Sequence, residues 1–405
     1  MEFLSPITGY LIPFLAVLTV LVFVHELGHF LLARWNDVKV EVFSIGFGPE
    51  LWGFNDKHGT RWRFGAVPLG GYVKMFGEGD LVTGVDDTEE RPMTEDEKKV
   101  SFHHKKLSQR TSIVAAGPAA NFLFAILVLW SINSVFGLPV VLSEVGEVIE
   151  NTAAEDAGLQ AGDVILSVNG QSITLFKELS DIVSVNANVS LVFEIQRGRE
   201  VLNVDATPRP WRDDIERDDH NENDKPDKGD NGDNGDNGDN GDNGEVKKHQ
   251  PRGLLGVRPA MENLPTERKG IFEGLSLAFQ QTYFLTSNIL DGIAQMFSGE
   301  RSAKELGGVI MIAEVSGDAA QGGYLQILRF LAILSINLGL INLFPVPVLD
   351  GGHLMFYVAE AVRGKPLSPR LQEYGFRFGL ILVLILMLFA TWNDFERLFE
   401  KFGLG

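Results

Sequence analysis

Residues 11–29 read LIPFLAVLTVLVFVHELGH, an apolar run that ends in two histidines and a glutamate. With its flanks, the run is long enough to cross a bilayer as a helix. His25 and His29 stand at i and i+4, which share a helix face, so both imidazoles can meet one cation while Glu26 lies beside them. Ionisable groups at the end of a membrane helix are costly and need a compensating role. The stretch therefore predicts a helical, membrane-embedded chain with a metal centre in or beside the bilayer.

Three more stretches have the length and apolarity of membrane helices. One runs from about Arg110 to Ser134 around IVAAGPAANFLFAILVLW, one from about Leu325 to Pro347, and one from about Tyr374 to Trp392. Pro118 and Asn121 predict that the second packs on protein rather than lipid, with Asn121 as an interhelical hydrogen-bond partner. Basic residues set the orientation. Arg34 ends the first span, Lys105, Lys106 and Arg110 precede the second, and Arg363, Lys365 and Arg370 lie between the third and fourth. The positive-inside rule then puts 35–110 and 354–373 in the cytoplasm, and 135–324 and both termini outside. HELGH falls near the cytoplasmic face. The N-terminus lacks the basic start and cleavage site of a signal peptide, so the first span is expected to be retained.

The 405 residues carry a net charge of -19, but residues 213–245 alone hold 14 acids and 3 bases. Five Gly-Asp-Asn triplets lie within them, from Gly229 to Asn243. This composition predicts a solvated, disordered loop; it lacks the apolar strand position of calcium-binding repeats. The rest is mildly acidic, which argues against nucleic-acid binding. There are no cysteines, so disulfides and thiolate metal sites are excluded.

Residues 38–77 predict short strands at Lys39–Ile45, Arg61–Val67 and Tyr72–Phe76, punctuated by glycines, Pro49 and Pro68. Residues 140–208 predict a small mixed domain whose strongest piece is AGLQAGDVILSVNG at 157–170, closed by an Asn-Gly hairpin turn. Residues 270–298 have the pattern of an amphipathic helix.

A catalytic zinc takes three protein ligands and keeps one position for water. His25 and His29 supply two, and Glu26 suits the base that takes the proton of water. Asp350 is the sole acid between Tyr324 and Tyr357, in a Pro- and Gly-broken region at the depth predicted for HELGH. It would complete a His-His-Asp site.

HExxH in the first span, NLFPVPVLDGG at 342–352 and a PDZ-like domain between them resemble the site-2 protease family of intramembrane zinc metalloproteases, in its RseP-type bacterial branch. The resemblance implies one Zn2+ per chain on His25, His29 and Asp350, with Glu26 activating water and Asn342 aiding catalysis or holding substrate. It implies that Gly46–Pro49 form a membrane-dipping loop. It also implies that Gly70, Gly71, Tyr72 and Val73, with Pro345 and Pro347, contact an unwound substrate. The segment Gly253, Leu254, Leu255, Gly256 and Val257 resembles a PDZ carboxylate-binding loop, in a circularly permuted order.

The expected fold is an α-helical membrane protein with four transmembrane helices, a small cytoplasmic-side β region and one extracytoplasmic, circularly permuted PDZ-like α+β domain. The expected segments are a first helix (1–37), β region (38–109), second helix (110–135), PDZ-like domain (136–262) with acidic insert (213–250), and amphipathic helices (263–323). A third helix (324–353), a cytoplasmic loop (354–373) and a fourth helix with a short tail (374–405) follow. The implied function is regulated proteolysis of single-span membrane proteins, such as anti-sigma factors, in a bacterial inner membrane. An upstream, site-1-type protease would first shorten the same substrate. The alternative is a membrane-anchored PDZ adaptor with a structural or vestigial metal site.

Overall fold

The computed structural model describes residues 7–77, 93–210, 252–261 and 264–401. The acidic Gly-Asp-Asn segment lies outside them.

Helix α1 (Ile12–Trp35) opens with Pro13 in its first turn, where a missing N–H costs nothing. A hairpin follows, β1 (Val40–Asn55) and β2 (Arg61–Met75). The two later strands expected here are one: β2 runs through Pro68 and Gly70, and register shifts along the pair take up the irregular residues. Next come α2 (Glu95–Val100), opened by a Thr94–Glu97 capping box, and α3 (Leu107–Ser131).

The chain then forms β3 (Leu138–Pro139), β4 (Val145–Val148), α4 (Ala153–Asp156), β5 (Val164–Val168), β6 (Gln171–Ser172), α5 (Phe176–Ser184), β7 (Leu191–Arg197), β8 (Glu200–Ala206) and β9 (Arg209–Pro210). Beyond the undescribed segment lie β10 (Gly253–Leu254), β11 (Val257–Pro259) and β12 (Thr266–Glu267). The remaining helices are α6 (Ile271–Ser298), α7 (Val309–Gln321), α8 (Tyr324–Leu343), α9 (Asp350–Arg363) and α10 (Pro369–Lys401).

Two compact units emerge, Leu138–Glu267 and the remainder on either side of it. In the first, β6-β5-β7-β8 form an antiparallel sheet over a core of Val145, Ile165, Leu179, Leu191, Phe193 and Ile195. Asn169 and Gly170 both have positive φ, as the tight β5–β6 turn requires. β12 pairs with β3, so this unit closes at Glu267 rather than at 262.

Among its described residues, the other unit holds four helices long and apolar enough to cross a membrane: Thr8–Trp35, Leu107–Phe136, Tyr324–Leu343 and Pro369–Lys401. α3 is the central one. Half of its apolar window is buried in protein, against 6% for α10. Small residues set the close α1–α3 crossing: a Cβ added to Gly28 would stand 2.2 Å from the Ala116 carbonyl oxygen and 2.8 Å from Ala120 Cβ.

Two expectations are corrected here. The third span does not run to 353: α8 stops at Leu343, because Phe344 precedes Pro345 and takes extended backbone. Nor is 354–373 a loop throughout. α9 occupies its first half, ending at Arg363 before Gly364 in the left-handed conformation.

Candidate metal centre

Three elements converge on one point. α1 brings His25, Glu26 and His29 from its second half, and α9 brings Asp350 as its first residue. α3 provides the wall behind the imidazoles. A Cβ on Gly117 would lie 2.3 Å from His29 Nε2 and 2.8 Å from His25 Cε1, so both rings rest on bare backbone.

Asp350 is delivered by a tight reversal after α8. A Cβ on Gly351 would stand 2.2 Å from the Phe344 carbonyl oxygen, and one on Gly352 2.3 Å from Pro347 Cα. Any side chain at either position would push Asp350 away from α1.

Asp350 Oδ2 lies 3.1 Å from His25 Nε2 and 3.5 Å from His29 Nε2. The two Nε2 atoms are 3.2 Å apart. The three side chains thus offer ligand atoms within 4.8 Å of one another. Asp350 Oδ2 is buried and receives no hydrogen bond. His29 Nδ1 is 2.9 Å from the Ile113 carbonyl oxygen. A carbonyl only accepts, so Nδ1 carries a proton, and in the neutral ring Nε2 then presents a lone pair. Electron-pair donors therefore converge, an arrangement that a bound cation offsets. Two imidazoles and one carboxylate fit zinc and fall one short of a closed tetrahedral set.

The profile of peptidase family M50 matches residues 13–386. The chain belongs to peptidase family M50. These are the site-2 proteases, the family that the sequence resembles. Relatives from Rhizobium meliloti (strain 1021) and Agrobacterium fabrum (strain C58) have names that assign them to the zinc metalloproteases. The first is 39% identical over 393 residues, 96% of this chain and 97% of its own. The second is 38% identical over 400 residues, 97% of each. Metalloprotease MmpA of Caulobacter vibrioides is 34% identical over 409 residues, 96% of this chain and 95% of its own. Family membership and four long apolar helices make this M50 chain a membrane protein.

The other residues singled out from the sequence fall in three places. Gly70 to Val73 lie on β2, and Gly71, Tyr72 and Val73 pair with Ile45, Ser44 and Phe43 of β1. This strand runs beside the HELGH motif: the Glu26 carboxyl meets the Val73 backbone, and a Cβ on Gly71 would stand 3.4 Å from Glu26 Cγ. Asn342 is half-buried in the last turn of α8, with Pro345 and Pro347 in the reversal that follows. Gly253–Val257 belong to the separate unit Leu138–Glu267. There Gly253 and Leu254 pair with Pro210 and Arg209, Leu255 is buried, and Val257 pairs with Val148.

Sequence reasoning missed the contribution of α3. A carbonyl oxygen such as that of Ile113 leaves no mark in the sequence, and Gly117 reads as a packing residue. The i, i+4, i+8 spacing of Ile113, Gly117 and Asn121 on one helix face was the available signal.

Proposed function

We propose that the chain is an intramembrane zinc endopeptidase that cuts single-span membrane proteins within or near the bilayer. One observation carries this reading: His25, His29 and Asp350 meet at a single point with Glu26 beside them. His25 and His29 through Nε2, and Asp350 through a carboxylate oxygen, are the zinc ligands. When bound, zinc supplies a Lewis acid that polarises the scissile carbonyl and makes water a better nucleophile. Glu26 takes the proton from that water and returns it to the leaving amine. Asn342 holds the substrate backbone or the developing oxyanion.

A helical substrate hides its peptide bonds in its own hydrogen bonds and must unwind before cleavage. The two-stranded hairpin supports a role for β2, because an extended segment can add to a strand edge. Gly70, Gly71, Tyr72 and Val73 lie where such a segment would pass Glu26; Pro345 and Pro347 line it from the α8–α9 reversal. The unit Leu138–Glu267 acts as a PDZ-like filter outside a bacterial inner membrane. It admits substrates already shortened by a first protease, or captures their new C-termini at Gly253–Val257. Anti-sigma-like proteins are the substrate class, and the active site opens near the cytoplasmic face.

The test is proteomic. Membrane fragments from cells carrying the wild-type chain are compared with fragments from cells carrying Glu26→Gln. Single-span proteins already trimmed on their outer side should accumulate in the variant. Identical fragment profiles would overturn the reading.

A further inference from the structure

Asn121 is fully buried in α3 and makes two contacts that a packing role does not explain. Its side-chain amide lies 3.2 Å from His25 Nδ1, and its backbone carbonyl accepts a hydrogen bond from Ser335 Oγ at 2.8 Å. The amide oxygen Oδ1 is buried without a donor. Asn121 is thus pinned by α8 on one side and faces a metal-ligand histidine on the other.

The chemistry of His25 selects which end of the amide it needs. His25 Nε2 points at His29 Nε2 and Asp350 Oδ2. To bind a cation there, Nε2 must present its lone pair, and a neutral imidazole then carries its proton on Nδ1. That N–H needs an acceptor. Among the described hydrogen bonds, the partner of Nδ1 is the Asn121 amide. The two ends of an amide exchange by a half-turn, so Oδ1 can take this place.

Resting on the zinc reading above, we propose that Asn121 is a positioning residue for the metal centre. Its Oδ1 accepts from His25 Nδ1–H, as the Ile113 carbonyl accepts from His29 Nδ1–H. Ile113, Gly117 and Asn121 then form one stripe of α3 that orients both imidazoles. The helix does this with a carbonyl, a bare Cα and an amide. Such partners fix the tautomer and the ring plane, and losing one weakens metal binding about 10–100-fold.

The test is zinc affinity of the purified, detergent-solubilised full-length protein, read by competition with a chromophoric chelator. Asn121→Leu removes the acceptor at similar volume; affinity should fall about 10–100-fold. Asn121→Asp keeps an acceptor and has no donor, so its affinity should stay near that of wild type. The absorption spectrum of the cobalt-substituted protein should shift in the Leu variant and be retained in the Asp variant. Wild-type affinity in Asn121→Leu would overturn the proposal. A loss of tenfold or more in Asn121→Asp would overturn it too, since it would mean that His25 needs the amide N–H; this arm decides alone if the Leu variant does not fold. Failure of the wild-type chain to bind zinc, or wild-type affinity in His29→Ala, would instead sink the zinc reading itself.

Discussion

His29 Nε2 and Asp350 Oδ2 lie 3.5 Å apart, although they come from helices near opposite ends of the chain. The contact depends on the glycines after Asp350, whose lack of side chains lets α9 start against the end of α8. Asp350→Ala should therefore leave the helices in place and remove a ligand. Zinc content, measured by mass spectrometry after dialysis against a chelator, should fall well beyond the 10–100-fold typical of a group that only orients a ligand. Unchanged zinc content would remove Asp350 from the site.

Gly117 tests the wall behind the imidazoles. Its added Cβ would meet side-chain atoms of His29 and His25, which can swing aside, rather than a rigid backbone. Gly117→Ala should thus weaken zinc binding while costing little stability. Gly28→Ala is the contrasting case, because its Cβ would run into the Ala116 carbonyl and force α1 and α3 apart. Overpacking of this kind costs about 1–3 kcal/mol. Thermal unfolding in detergent should show the larger loss for Gly28→Ala, and metal titration the larger loss for Gly117→Ala.

In the unit Leu138–Glu267, Asp163 is fully buried and accepts hydrogen bonds from Arg197 Nε and Nη2, each at 2.7 Å. Burial pushes its carboxyl up, but the Arg197 guanidinium and the Gln160 N–H together hold it below the usual carboxylate range. A depressed folded-state value means stabilisation that is complete above the unfolded value, about 3.9, and is lost as pH falls through the folded one. Arg197 is 33% exposed, so its removal should cost less than breaking a fully buried pair. Arg197→Met should be destabilised at pH 7, and the gap to wild type should narrow below about pH 4. A gap that stays constant with pH would contradict the pairing.

The sequence was legible where chemistry is written in side chains. HELGH shows its candidate ligands and its helix phase together, and Asp350 is conspicuous as a lone acid in an apolar segment. It was less legible where backbone does the work. The Pro and Gly residues of β2 read as strand ends, yet a long hairpin absorbs them as irregularities in register. The sequence pattern puts the start of α9 in the third span and its remainder in a loop, because Gly351 and Gly352 look like breakers. They are there because backbone atoms of Phe344 and Pro347 approach too closely for a side chain. Asn121 was expected to bond a neighbouring helix; that its partner is a histidine of the metal site depends on helix rotation, which composition does not encode.

The most direct test of the central claim is Glu26→Gln in the purified, zinc-loaded protein, with a single-span model substrate reconstituted in the same detergent. Gln keeps the size of the side chain and removes its ability to take a proton. Zinc content should match wild type, and cleavage should fall by at least about 10²-fold, the lower end of what a general base contributes. Cleavage at the wild-type rate with zinc still bound would contradict the account.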